Sequence, residues 1–216
     1  MMLTPIPRDA LAEALERFAD DLGGALSRRM FGKIRATSPD RAAGPEAEQH
    51  RLSALALARG CGMMVHPPGV RCRFNWDGAA LNGATEAYVI LHEIAHFVLA
   101  PPARRSLVDF GLGPGPDTTD RDQAERAATL SPLARDHDEA AASLLGILWE
   151  AALGQPALAS FLDQNWLEGL GRSACGHFAR VLGGLQRRGL LAPLPRPAAG
   201  LSGGSPQPAP AIRRIR

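Results

Sequence analysis

The sequence predicts an α+β, mainly helical domain with a metal site between two central apolar helices and a small antiparallel sheet alongside. Three observations predict it. The stretch from Tyr88 to Leu99 is strongly apolar, yet carries His92, Glu93 and His96 in a His-Glu-x-x-His spacing. Residues 138–154 are apolar almost all round, the pattern of a helix buried at the centre of a fold. Residues 63–66 and 70–76 are short β-prone runs split by Pro67-Pro68-Gly69.

Composition bounds the rest. A length of 216 residues suits one domain. We take it as residues 1–191, followed by a Pro/Gly-rich basic tail, 192–216, predicted to be disordered. A net charge of +2 implies no strong field for nucleic acid or anionic membrane. Lys33 is the sole lysine among many arginines, which reads as codon bias. Cys61, Cys72 and Cys175 are widely spaced and form no Cys-x-x-Cys pair, so neither a zinc knuckle nor a disulfide framework is indicated. The N-terminus lacks a signal-peptide pattern and no run is long and apolar enough for a membrane span, so a cytoplasmic protein is expected.

In chain order, residues 8–34 read as one amphipathic helix, capped by Asp9 and weakened at Gly23-Gly24. Residues 36–50 read as a surface loop, and Leu52 to Ala58 as a short helix. His66, beside the Pro-Pro-Gly turn, reads as a surface residue. Thr85 is expected to cap the first apolar helix, with Pro101-Pro102 stopping it. From Pro101 to about Arg135 there is little periodicity. A loop of that length is uncommon inside a domain and is often functional. This one is placed to cover the helix before it. Asp138 to Gly154 is the second apolar helix, 156–163 starts another, and Ser173 to Gly189 forms the last.

The chemistry begins with His92 and His96. Residues four apart share a helix face, with Cβ atoms about 5–6 Å apart. Both imidazoles can then reach one metal ion at roughly 2.0–2.1 Å. Glu93, one residue on, faces a metal-bound water or the outer shell. Two unpaired imidazoles in an apolar helix would be costly to bury, which favours a metal over chance. The third ligand falls among His137, Asp138 and Glu139, at the start of the second apolar helix. Glu139 is preferred, because Ala140 to Ala142 keep its surroundings slim; His137 is second. Glu139 serving only the helix dipole is the plain alternative. Two His and one carboxylate leave coordination positions open, which fits catalytic zinc and non-heme iron(II) equally.

Several of these residues together resemble the elongation factor P hydroxylases. The match begins with Leu91-His-Glu-Ile-Ala-His96 and continues through Ala103-Arg-Arg-Ser-Leu-Val-Asp-Phe-Gly111, then Pro116-Asp117. Glu139, Ala151-Ala152, Gly154 and Pro156 are similar in mutual spacing, and Leu167-Glu168-Gly169 is a further correspondence. The resemblance covers roughly residues 85–185. The chain departs from the family after Gly111, where it has Leu112-Gly-Pro-Gly115, and over its N-terminal third. The resemblance implies an iron-dependent hydroxylase of a modified lysine on that translation factor or a similar protein, using O2. His92, His96 and Glu139 would hold Fe(II), with Glu93 acting close to the metal.

Arg104, Arg105 and Asp109 are expected to order the covering loop or contact the substrate. A zinc peptidase, with Glu93 as general base and Zn(II) polarising a carbonyl, is the alternative enzyme. A non-catalytic metal-stabilised binding protein fits less well, since structural zinc sites usually have four protein ligands.

Overall fold

A computed structural model describes residues 6–167 and 173–191. The predicted tail, 192–216, and Glu168-Gly169 of the resemblance lie outside these residues. The described chain is mainly helical. Its helices are α1 (Arg8–Asp21), α2 (Ala25–Arg35), α3 (Gly44–Gly60), α4 (Ala87–Leu99), α5 (Pro102–Arg105), α6 (Arg121–Ala127), α7 (Pro132–Ala152), α8 (Ala157–Asp163) and α9 (Ala174–Arg187). None of them is long and apolar enough to cross a membrane.

The single helix expected over 8–34 is two helices. Gly24 takes φ 82°, left-handed backbone that L side chains avoid, so the Gly-Gly pair breaks the helix outright. Asp9 sits in the first turn of α1 rather than at its cap, which is Pro7. The loop expected over 36–50 ends earlier: α3 starts at Gly44, with Pro45 in its first turn, where the missing N–H costs nothing.

The sheet corrects the expected topology. β1 (Met64–Val65) and β2 (Ala80–Leu81) pair in parallel, Met64 with Ala80 and Val65 with Leu81. The run 70–76 forms no strand. Antiparallel pairing survives only as an isolated Trp76–Leu81 bridge around the Asp77-Gly78 turn. Pro67 and Pro68 have no N–H for a ladder, so the chain cannot fold back directly after β1. The backbone beyond is engaged elsewhere: Arg73 O accepts from Thr119 N at 3.0 Å. His66 pairs with Asp77 at 2.7 Å.

The core is centred on α4, which packs against α3 on one side and α7 on the other. Ile90, Leu91, Ile94 and Ala95 are all fully buried. In the same core, Phe18, Phe31, Phe161 and Phe178 pack edge-on and tilted with centroids 4.7–6.5 Å apart, tying α1 and α2 to α8 and α9. The boundary of α4 moves by one residue, its cap being Glu86 rather than Thr85. That of α7 moves further. Ser131 caps it, accepting from Ala134 N, and Pro132 opens it. Glu139 therefore lies in the third turn, too far in to serve the helix dipole.

Near its other end α7 buries Glu150, whose Oε1 lies 3.6 Å from Arg41 Nη1. Burial pushes the Glu150 carboxyl up to about 7, against the bond to Ser160 and the charge of Arg41. A folded-state value above the unfolded one means the native state holds the extra proton. Stability attributable to this group is then full at pH 4 and declines as pH rises toward 7. In Glu150→Gln that decline should vanish. Thermal melts at pH 5 and pH 8 should differ less for the variant than for the wild type.

Candidate metal centre

α4 and α7 cross at Gly146. A Cβ there would lie 3.3 Å from His92 N and 3.4 Å from His92 Cα, so the absent side chain lets the backbones touch. Asp138 meets His96 one end along, which sets the helices antiparallel. Glu139 and Gly146 are seven residues apart, two turns, and so share the face turned to α4. His92 and His96 share the facing stripe.

The result is convergence. His92 Nε2 and His96 Nε2 lie 3.0 Å apart, and each is 3.4 Å from Glu139 Oε2. These are the three groups, among the described residues, able to hold one metal ion, with ligand atoms within 4.8 Å of one another. Asp138, adjacent to Glu139, points about 100° away around the helix. It accepts at 3.2 Å from His96 Nδ1 and receives Arg104 Nη2 at 2.9 Å. A carboxylate on Nδ1 leaves the Nε2 lone pair free for a metal. His137 is exposed and takes no part.

Electrostatics agree with that donor set. Burial opposes charge on His96, but the hydrogen bonds its ring donates to Asp138 and Glu139 outweigh it and raise it to about 10. Burial and the neighbouring His96 lower His92. Burial also opposes the charge on Glu139, yet the two imidazoles hold its carboxyl far below the usual range. The point where the three groups meet thus attracts positive charge, which a divalent cation would supply in place of a proton.

The ligands open onto a cavity of about 580 Å³. Residues of the stretch from Asp109 to Thr118, after α4, line part of it. A 3₁₀ turn, Val108–Gly111, puts Asp109 (φ 44°) and Phe110 (φ 53°) in left-handed backbone. Such residues cost about 1–3 kcal/mol each and persist where the surroundings hold them. Here Asp109 N donates to Trp76 O at 2.9 Å, and Thr118 Oγ1 donates to Asp109 Oδ2 at 2.6 Å. The turn places consecutive side chains on two tasks. Phe110 stacks between His96 and Trp76, with centroids 5.7 and 5.4 Å away. Asp109 lines the cavity.

Glu93 also lines the cavity, outside the ligand set. Burial drives it up to about 8, with Asp109 and Glu139 adding to the shift, while the His96 charge and a bond from Asn75 oppose it. Arg104 and Arg105 face the protein. Arg104 holds Asp138 and Phe110 O. Arg105 Nε donates to Ala100 O at 3.0 Å and its guanidinium covers Phe97 at 4.7 Å.

Sequence reasoning missed Asn75, Thr118 and Gly146, and it placed Asp138 among possible ligands. The adjacency of Asp138 and Glu139 carried a signal: neighbours on a helix cannot both face one point. No family model matches the chain, and no curated protein or solved structure matches it.

Asp138→Asn keeps size but removes the charge on His96 Nδ1. Its metal affinity should fall about 10–100-fold, read by competition with a chromophoric chelator. Gly146→Val should force α7 off α4. It should lower the melting temperature, by a cost of about 1–3 kcal/mol, and weaken metal binding in the same titration.

Proposed function

We propose that the protein is a non-heme iron-dependent hydroxylase acting on a lysine, or modified lysine, carried by a protein such as translation elongation factor P. The observation that carries this reading is the convergence of His92, His96 and Glu139 at the wall of an open cavity. Two imidazoles and one carboxylate on one side leave coordination positions free on the other. The chemistry supplied by bound iron(II) is activation of O2, so that one oxygen atom enters a C–H bond and the other leaves as water, with two electrons from an external reductant.

The chain's own residues support the remainder. The acidic side chains lining the cavity are Glu93, Asp109, Asp117 and Glu139, with no Lys or Arg among the described lining residues. The donor groups of a cationic side chain meet carboxyl oxygens there. Asp138 and Arg104 orient His96, while Phe110 and Trp76 close its ring against solvent. Residues of the segment from Phe110 to Thr118 line the cavity beside the ligands.

The buried Glu93 favours a second reading. It faces the cavity one residue from His92 without joining the ligands, where the general base of a zinc hydrolase sits. In that case Glu93 takes a proton from an attacking water, and a peptide is the substrate class.

Elemental analysis of protein purified without chelators or nickel, repeated anaerobically with ferrous iron, separates the two. Near-stoichiometric iron that is lost in His92→Ala, with O2-dependent gain of one oxygen mass on elongation factor P, is the expected result. Zinc that iron does not displace, with casein cleavage lost in Glu93→Gln while zinc is retained, would overturn it in favour of the hydrolase.

A further inference from the structure

Tyr88, the single tyrosine of the chain, lies one turn before His92 and lines the metal cavity. That spacing puts its Cβ about 5–6 Å from that of His92. The Arg41 guanidinium covers the ring, 3.8 Å from its centroid. Arg41 comes from the segment between α2 and α3, remote in sequence from both cavity helices.

Three further groups fix that guanidinium. Nη1 donates to Ser160 Oγ at 2.7 Å; Nε and Nη2 donate to Asp163 Oδ2 at 3.2 and 2.8 Å. Glu150 Oε1, on α7, lies 3.6 Å away. Glu150 is almost fully buried, its Oε2 has no hydrogen-bond partner, and among the described residues Arg41 supplies the opposite charge beside it. Glu139 and Glu150 are eleven residues apart, close to three turns, and so lie on one stripe of α7. One end of the stripe holds the histidines. The other, through Arg41, holds the aromatic ring that precedes them.

We propose that Tyr88 is a specificity-determining wall of the metal cavity, packing along the apolar stem of a substrate side chain that reaches the metal, and that Arg41 is its positioning residue. The proposal rests on the reading of the cavity as an open metal site. A ring clamped on one face keeps a fixed surface at little entropic cost when a ligand arrives. The planar fork of Arg suits this role, since its separate nitrogens engage Ser160 and Asp163 at once. None of Arg41, Ser160, Glu150 and Asp163 belongs to the ligand set.

The test uses the full chain loaded with cobalt(II) and two probes, acetohydroxamate and octanohydroxamate. Both chelate an open metal; only the second has a long tail. The ratio of their affinities, read from the cobalt visible spectrum, isolates the wall from the metal. Each methylene buried along the wall is worth about fourfold. The wild type should prefer the longer probe by at least tenfold.

Tyr88→Ala and Arg41→Met should lose most of that preference while binding acetohydroxamate and stoichiometric cobalt as the wild type does. Tyr88→Phe should retain the preference, since the ring is kept. Arg41→Lys keeps the charge beside Glu150 where Arg41→Met destabilises the fold, and it should lose part of the preference. Unchanged preference in Tyr88→Ala and Arg41→Lys would overturn the proposal. Failure of the wild type to bind acetohydroxamate would overturn the open-metal-site reading itself, and this inference with it.

Discussion

The structure depends on the close approach of α4 and α7 at Gly146. With the His92 backbone 3.3 Å from where a Cβ would stand, the two helices touch at a distance no other residue allows without adjustment. That contact brings Glu139 to within 3.4 Å of both imidazoles. The remaining elements either support this crossing from outside, as α3, α8 and α9 do, or cover its open side.

Two opposing costs meet there. Imidazoles and carboxylates taken out of water are destabilising one by one. Together they offset each other through an ordered chain: Arg104 to Asp138, Asp138 to His96, and Glu139 to His96 and His92. Each member has a defined partner, and the last free lone pairs converge. Phe110 and Trp76 add a stacked wall that fixes the His96 ring without competing for its nitrogens. The strained turn at Asp109 and Phe110 is the cost of delivering that wall and a cavity carboxylate from adjacent residues.

The same helix pair carries a second buried acid at its far end. Glu150 and Arg41 tie α7 to α8 and to the segment before α3, and Arg41 covers Tyr88 on α4. The cavity is therefore anchored at two ends by charge and along its length by apolar packing. A tight crossing between them leaves little freedom for the ligands to drift.

What the sequence by itself determined is local. The two apolar helices and the His92–His96 stripe follow from periodicity and spacing, while Glu139 is preferred over His137 only for its slim alanine neighbours. Near-neighbour geometry is rigid enough to encode these. Tertiary structure alone decided the rest. The division of labour between Asp138 and Glu139 depends on which side of α7 meets α4. The parallel sheet depends on where residues 70–76 find partners some 40 residues away, at Asp117, Thr119 and Asp120. Gly146 and Arg41 gain their roles only through contacts distant in sequence. Such pairings are set by how surfaces pack, and no local pattern of apolar and polar residues records them.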